Sequence, residues 1–219
     1  MIKNIIFDFD GVIVDSEILA AEAFSRYMAT NGYNLKSSDF FKFAGKKTIE
    51  VISELSKEYD IKNEKKFYRD IMILVDKIYS EELSLVRGAY EFITNSNKKL
   101  FIGSNSMKNR ILSGLKKVKL DKYFYEKNIV SFDMVERPKP YPDVYLEVVK
   151  RYKLEKEETI IIEDSSVGTQ AGFASGIKVI GLTAGGHWHE GRSSKELIIS
   201  GATTIIDDYK DLNEIIANL

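Results

Sequence analysis

The sequence predicts an α/β protein built on a buried parallel sheet, with a helical segment inserted after its first strand. Apolar runs of four to six residues ending in turn residues alternate with helical patterns, as strands covered by crossover helices do. Residues 17 to about 87 break that alternation, offering helical patterns and no strand. The chain has 219 residues, 44% of them hydrophobic, ample for a packed core.

In chain order, the expected strands are Ile5–Phe9, Leu100–Gly103, Asn128–Ser131, Thr159–Ile162, Lys178–Leu182 and Thr203–Ile206. Helices follow at Met107–Lys117, Val144–Tyr152 and Val167–Ser175, with Ser106 and Ser166 as expected N-caps and Gly176 as a helix-ending residue. The insert carries helical patterns at Ile18–Thr30, Ser38–Phe43, Thr48–Tyr59 and Glu64–Glu82. This divides the chain into a core of residues 1–16 and 88–219 and a helical insert of residues 17–87. Both connections of the insert then lie near the carboxyl end of the first strand, the edge at which open α/β sheets bind ligands.

Composition narrows the function. Thirty-two Lys and Arg against 33 Asp and Glu leave a net charge of −1, so no overall field draws the chain to nucleic acid or an anionic membrane. The absence of Cys excludes disulfides, thiolate catalysis and cysteine metal sites. The amino-terminal segment meets Asp8 before an apolar signal region forms, and no run of 18 apolar residues occurs. The expectation is a soluble, cytoplasmic protein.

Four segments carry possible chemistry. The first strand runs into Asp8-Phe9-Asp10-Gly11, where Gly11 permits a turn that lets both carboxylates crowd one point; alone, such a pair is equally a cap or a turn. The fourth strand ends in Glu163-Asp164. Three or four carboxylates at one sheet edge repel one another unless a cation neutralises them. Hard oxygens without neighbouring His or Cys favour Mg²⁺ over zinc. All three prolines fall within Arg137-Pro138-Lys139-Pro140-Tyr141-Pro142-Asp143. The stiff backbone they impose either aims the Lys139 ammonium or merely makes a rigid loop with an exposed lysine. Ser104-Asn105-Ser106 follows the second strand at a helix opening, suited to an anion and equally to ordinary capping.

Taken in order, these segments resemble the haloacid dehalogenase superfamily, within it the branch of β-phosphoglucomutase and small sugar-phosphate phosphatases. The most specific pieces are Asp8 through Glu17, Lys139-Pro140-Tyr141-Pro142-Asp143 and Ile162 through Gly168, and the likeness covers nearly the whole chain. It implies a Rossmann-like core with a helical cap at residues 17–87. It also implies Mg²⁺-dependent hydrolysis of a small phosphorylated metabolite, a sugar phosphate, through an aspartyl-phosphate. Asp8 would be the nucleophile. Asp10 would be the acid for the leaving oxygen and then the base for water. Asp8, Asp164 and the backbone carbonyl of Asp10 would hold Mg²⁺, with Glu163 in support. Ser104, Asn105 and Lys139 would bind the phosphate, and Lys139 would offset transition-state charge.

The chain departs from the mutase of that branch, with Ala20 where the mutase has His and Thr48 where its cap has Arg. A mutase must grip a bisphosphate at both ends, so hydrolysis is the expectation and mutase activity the alternative. A phospho-accepting receiver module is a remoter one, since receivers lack a helical insert and carry their acids as neighbours. In the insert, Lys46 and Lys47 follow Gly45 where this branch contacts substrate, and either meet its distal group or face solvent. His187 and His189 flank the only Trp in a Gly-rich stretch, read as a loop near the mouth of the site.

Overall fold

The six apolar runs form one all-parallel sheet in the order β3-β2-β1-β4-β5-β6. Its strands are β1 (Asn4–Phe7), β2 (Lys99–Ser104), β3 (Ile129–Ser131), β4 (Thr159–Glu163), β5 (Lys178–Leu182) and β6 (Thr204–Ile206). The computed structural model describes residues 1–43, 48–189 and 191–219. In this order the strand sequence reverses around β1, and the crevice at the carboxyl ends of β1, β2 and β4 is where a doubly wound sheet accepts a ligand.

Two compact units divide the chain, one of Met1–Asp15 with Ser84–Leu219 and the other of Ser16–Leu83. In the first, helices cover both faces of the sheet, as parallel strands require. On one face Ile6, Phe101, Val130, Ile161 and Val179 pack with Val144, Tyr145 and Val148 of α6 (Asp143–Tyr152) and Ala171 of α7 (Ser166–Ala174). Strand alternation turns Phe7 to the opposite face, where its ring meets Phe92 of α4 (Ala89–Asn95) and Phe124 edge-on at 6.3 and 6.0 Å. The two ends of chain at the boundary are tied together, Asp15 N–H donating to Ser84 O at 2.9 Å.

The second unit is helical: α1 (Glu17–Thr30), a 3₁₀ turn at Ser37–Phe43, α2 (Thr48–Glu58) and α3 (Glu64–Glu82). Apolar residues at helical spacing build its own core, in which Phe24 stacks on Phe40 and Tyr27 on Phe67. Asn63 caps α3, its side chain accepting from Lys66 N–H at 3.0 Å.

The expected elements are present with shifted ends. The first strand stops at Phe7, two residues early, because the chain turns at Gly11 and Ile13 and Val14 N–H bond back to Phe9 O. Neither expected serine cap holds. Met107, with no side-chain cap bond, precedes α5 (Lys108–Lys117), and Ser106 instead donates its hydroxyl to Asp10. For α7 the cap is Ser165, whose oxygen accepts from Gly168 N–H at 3.0 Å, leaving Ser166 as the first helical residue. Gly176 follows α7 at φ +74°, as its position predicted.

Candidate active site

The parallel register brings the chemistry-bearing residues to one edge. Phe7 lies opposite Ile102 on one side and Ile162 on the other, so the residues that follow in each strand reach the same level. There the structure buries Asp8, Ser104, Lys139, Glu163 and Asp164. Asp8, Glu163 and Asp164 each offer a carboxylate oxygen, all within 4.8 Å of one another.

Lys139 is the counter-charge. Its Nζ donates to Asp8 Oδ1 and to Glu163 Oε1, both at 2.7 Å, and lies 4.7 Å from the centre of the Tyr145 ring. The lysine is 6% exposed, which removes the reading of an incidental surface residue. Its aim is set from the backbone: Asn105 Oδ1 accepts from Lys139 N–H at 2.9 Å while Asn105 Nδ2 donates to Lys139 O at 3.2 Å. The Lys139–Pro140 peptide bond is cis. Burial alone would lower the Lys139 pKa, but the Asp8 and Glu163 carboxylates outweigh it and hold the ammonium above its ordinary value.

Glu163 and Asp164 diverge as consecutive residues at a strand end do. Glu163 Oε1 accepts from Lys139 and, at 2.8 Å, from the Tyr145 hydroxyl. Glu163 Oε2 accepts from the N–H groups of Asp164 and Ser165 and from the Ser165 hydroxyl, at 3.0, 3.1 and 3.1 Å. Five donors thus fill the lone pairs of Glu163, and its geometry is that of a support for Lys139. The residue also dictates a glycine inside a helix, since a Cβ at Gly168 would lie 1.6 Å from Glu163 Oε1.

Asp10 stands apart from the three-carboxylate cluster. Its side chain accepts from the Ser106 hydroxyl and faces Arg110 Nη2 at 3.9 Å. Ser104 is buried, its oxygen accepting from Ser106 N–H at 3.1 Å. Gly45-Lys46-Lys47 lies outside the described residues.

Burial pushes the carboxyls of Asp8 and Asp164 well above the usual range; the neighbouring acids reinforce the rise, while Lys139 opposes it at Asp8 and Arg192 and then Lys139 oppose it at Asp164. Such a group is uneasy as it stands: three buried carboxylates share one lysine, and, against the expectation of no neighbouring His, the His187 imidazole nitrogen lies 3.0 Å from Asp164 Oδ2. The buried carboxylates fit a hard divalent cation, which Asp8 and Asp164 could hold.

Sequence reasoning missed His187. It is no mouth residue: it is 2% exposed, and its Nε2 lies 3.0 Å from Asp164 Oδ2. The one available signal was Gly185-Gly186 before it, room for a close approach, which cannot name the partner.

Residues 5–182 match the sequence model of the haloacid dehalogenase-like hydrolases. The chain belongs to that family. It is 29% identical over 217 residues to the phosphorylated carbohydrates phosphatase of Thermotoga maritima, spanning 96% of this chain and 97% of that one. It is 27% identical over 188 residues to the 6-phosphogluconate phosphatase of Escherichia coli, spanning 85% of each. Among solved structures, a haloacid dehalogenase-like protein of unknown function from Agrobacterium tumefaciens superposes with a TM-score of 0.90 at 30% identity, covering 100% and 99% of the two chains. Among the described residues no helix is long and apolar enough to cross a membrane.

Proposed function

We propose that this hydrolase is a Mg²⁺-dependent phosphatase of a small phosphorylated metabolite, a sugar phosphate or phosphorylated sugar acid, working through an aspartyl-phosphate on Asp8. The observation that carries the reading is the Asp8 carboxylate, buried and paired at 2.7 Å with a buried lysine at the ligand-binding edge of the sheet. The two curated relatives above act on phosphorylated carbohydrates and on 6-phosphogluconate, which supports the substrate class.

In the first step an Asp8 oxygen bonds to phosphorus as the bond from phosphorus to the ester oxygen breaks, and Asp10 gives its proton to the departing alkoxide. In the second a water oxygen attacks the same phosphorus, Asp10 takes the proton, and the Asp8–phosphorus bond breaks to release inorganic phosphate. Ser104 and Lys139 bind the non-bridging oxygens through both steps, Lys139 as a fixed positive charge that needs no reorganisation. The Ser106 hydroxyl and Arg110 orient Asp10. Mg²⁺, when bound, supplies charge neutralisation at the phosphoryl oxygens.

The test is phosphate release from hexose phosphates and 6-phosphogluconate with Mg²⁺, beside an Asp8→Asn control. Continuous release that D8N and chelator both abolish is the expected result. Release undiminished in D8N would overturn the covalent mechanism, and none from any phosphorylated metabolite would overturn the phosphatase reading.

A further inference from the structure

The segment after β5 reaches the carboxylate cluster at Asp164. Gly186 N–H donates to both oxygens of Asp15 at 3.0 Å, and Trp188 N–H to Gly185 O at 3.0 Å, a turn that carries His187 inward. Arg192 covers the Trp188 ring at 3.9 Å and pairs with Glu196 at 2.7 Å, which fixes the far side of the turn. His187 is thereby buried with Nε2 on Asp164 Oδ2. Two glycines from separate parts of the sequence make room for this one pair. A Cβ at Gly11 would fall 1.9 Å from Asp164 Oδ2 and 3.1 Å from His187 Cε1, and one at Gly185 would fall 2.8 Å from His187 Cε1 and 3.1 Å from Gly11 O.

We propose that His187 is a positioning residue of the metal site, its imidazole holding one oxygen of Asp164 and so fixing the plane in which that carboxylate meets a divalent cation. The inference rests on the metal site of the proposed phosphatase. A carboxylate with one oxygen committed cannot swing, and outer contacts of this kind change metal affinity about 10- to 100-fold when removed. A residue that merely filled space there would leave that affinity alone when replaced by an apolar side chain of similar bulk.

The experiment is isothermal titration of the full chain with Mg²⁺, comparing wild type, His187→Leu, His187→Gln, His189→Ala and Asp164→Asn. The expected result is an affinity about 10- to 100-fold weaker in H187L, recovered in large part by H187Q, whose amide restores a donor, and unchanged in H189A. In turnover, H187L should need more Mg²⁺ while regaining most of its kcat at saturation. Wild-type affinity in H187L with affinity lost in D164N overturns the role of His187 and leaves the metal site standing. Wild-type affinity in both overturns the metal site itself. Where H187L does not fold, the donor-retaining H187Q is compared with His187→Asn, whose shorter amide falls short of Asp164, and equal affinity in those two overturns the inference.

Discussion

The two compact units bury different kinds of side chain. In Ser16–Leu83 the interior is aromatic and aliphatic, with Ser16 and Ser56 the buried polar residues among those described, and its order comes from area removed from water. The carboxyl edge of the sheet buries Asp8, Lys139, Glu163, Asp164 and His187 within one small volume. Charge is expensive to bury, and paired burial is at best near break-even against apolar packing. The sheet edge therefore gives up stability that the helical unit keeps, which marks it as the place where chemistry is selected for.

The sharpest break of this contrast is Asp8→Asn, which removes the nucleophile while relieving charge crowding. Turnover should fall below about 1% of wild type, with a melting temperature unchanged or raised. A melting temperature that fell by several degrees would mean that Asp8 holds the edge together instead of straining it.

Lys139→Met is the reverse experiment. It strips the counter-charge from Asp8 and Glu163, so the metal-free protein should lose about 3–5 kcal/mol in urea unfolding, and phosphate release measured with Mg²⁺ should be lost as well. Phe67→Ala should cost a similar 3–5 kcal/mol through a cavity in the helical unit's core, where Phe67 is fully buried. The two variants separate by added Mg²⁺: it should recover more stability in K139M, where it supplies the positive charge that Asp8 and Glu163 have lost, than in F67A, which it should stabilise only as it does wild type. Equal recovery in both would show that Lys139 does not organise the cluster.

Much of this was legible in the sequence because buried parallel strands are written as apolar runs, and the three acid-bearing or basic motifs sit next to them. Asp8, Lys139, Glu163 and Asp164 stood out by residue type and place, although each segment alone left a bland alternative open that only the resemblance to a family narrowed. Cap positions were not legible to the residue: Ser106 or Met107, and Ser165 or Ser166, are decided by which oxygen finds a partner, and Asp10 competes for Ser106. Nor was the clasp of Asn105 on Lys139 or the contact of His187 with Asp164, because both join residues far apart in sequence through side-chain direction. Gly168 illustrates the same limit, since a glycine in a helix reads as a weak point until Glu163 is seen to occupy the space its Cβ would take. Gly168→Ala should therefore cost stability and turnover, although alanine is the better helix former by about 1 kcal/mol; a stabilised, active G168A would mean that Glu163 moves freely.

The smallest effect expected is at Asp15, which joins the first motif to the His187 turn through Gly186. Burial raises its carboxyl pKa, while the Gly186 N–H and His187 pull it down less strongly. A raised native pKa means that the folded chain holds the proton more tightly than the unfolded chain. From the ordinary carboxylate value up to that raised value, wild type then loses stability as pH increases. Asp15→Asn cannot titrate and escapes this loss, so the melting temperature of D15N relative to wild type should rise through that interval and level off above it. Because the group is only partly buried, the change should stay within about 2–4 °C, the shift that 1 kcal/mol makes in a chain of this size. Calorimetry of both proteins from pH 4 to 7 decides it. Should wild type instead gain on D15N as pH rises, the ionised carboxylate's grip on Gly186 would outweigh its burial, and the turn that carries His187 would be held by charge.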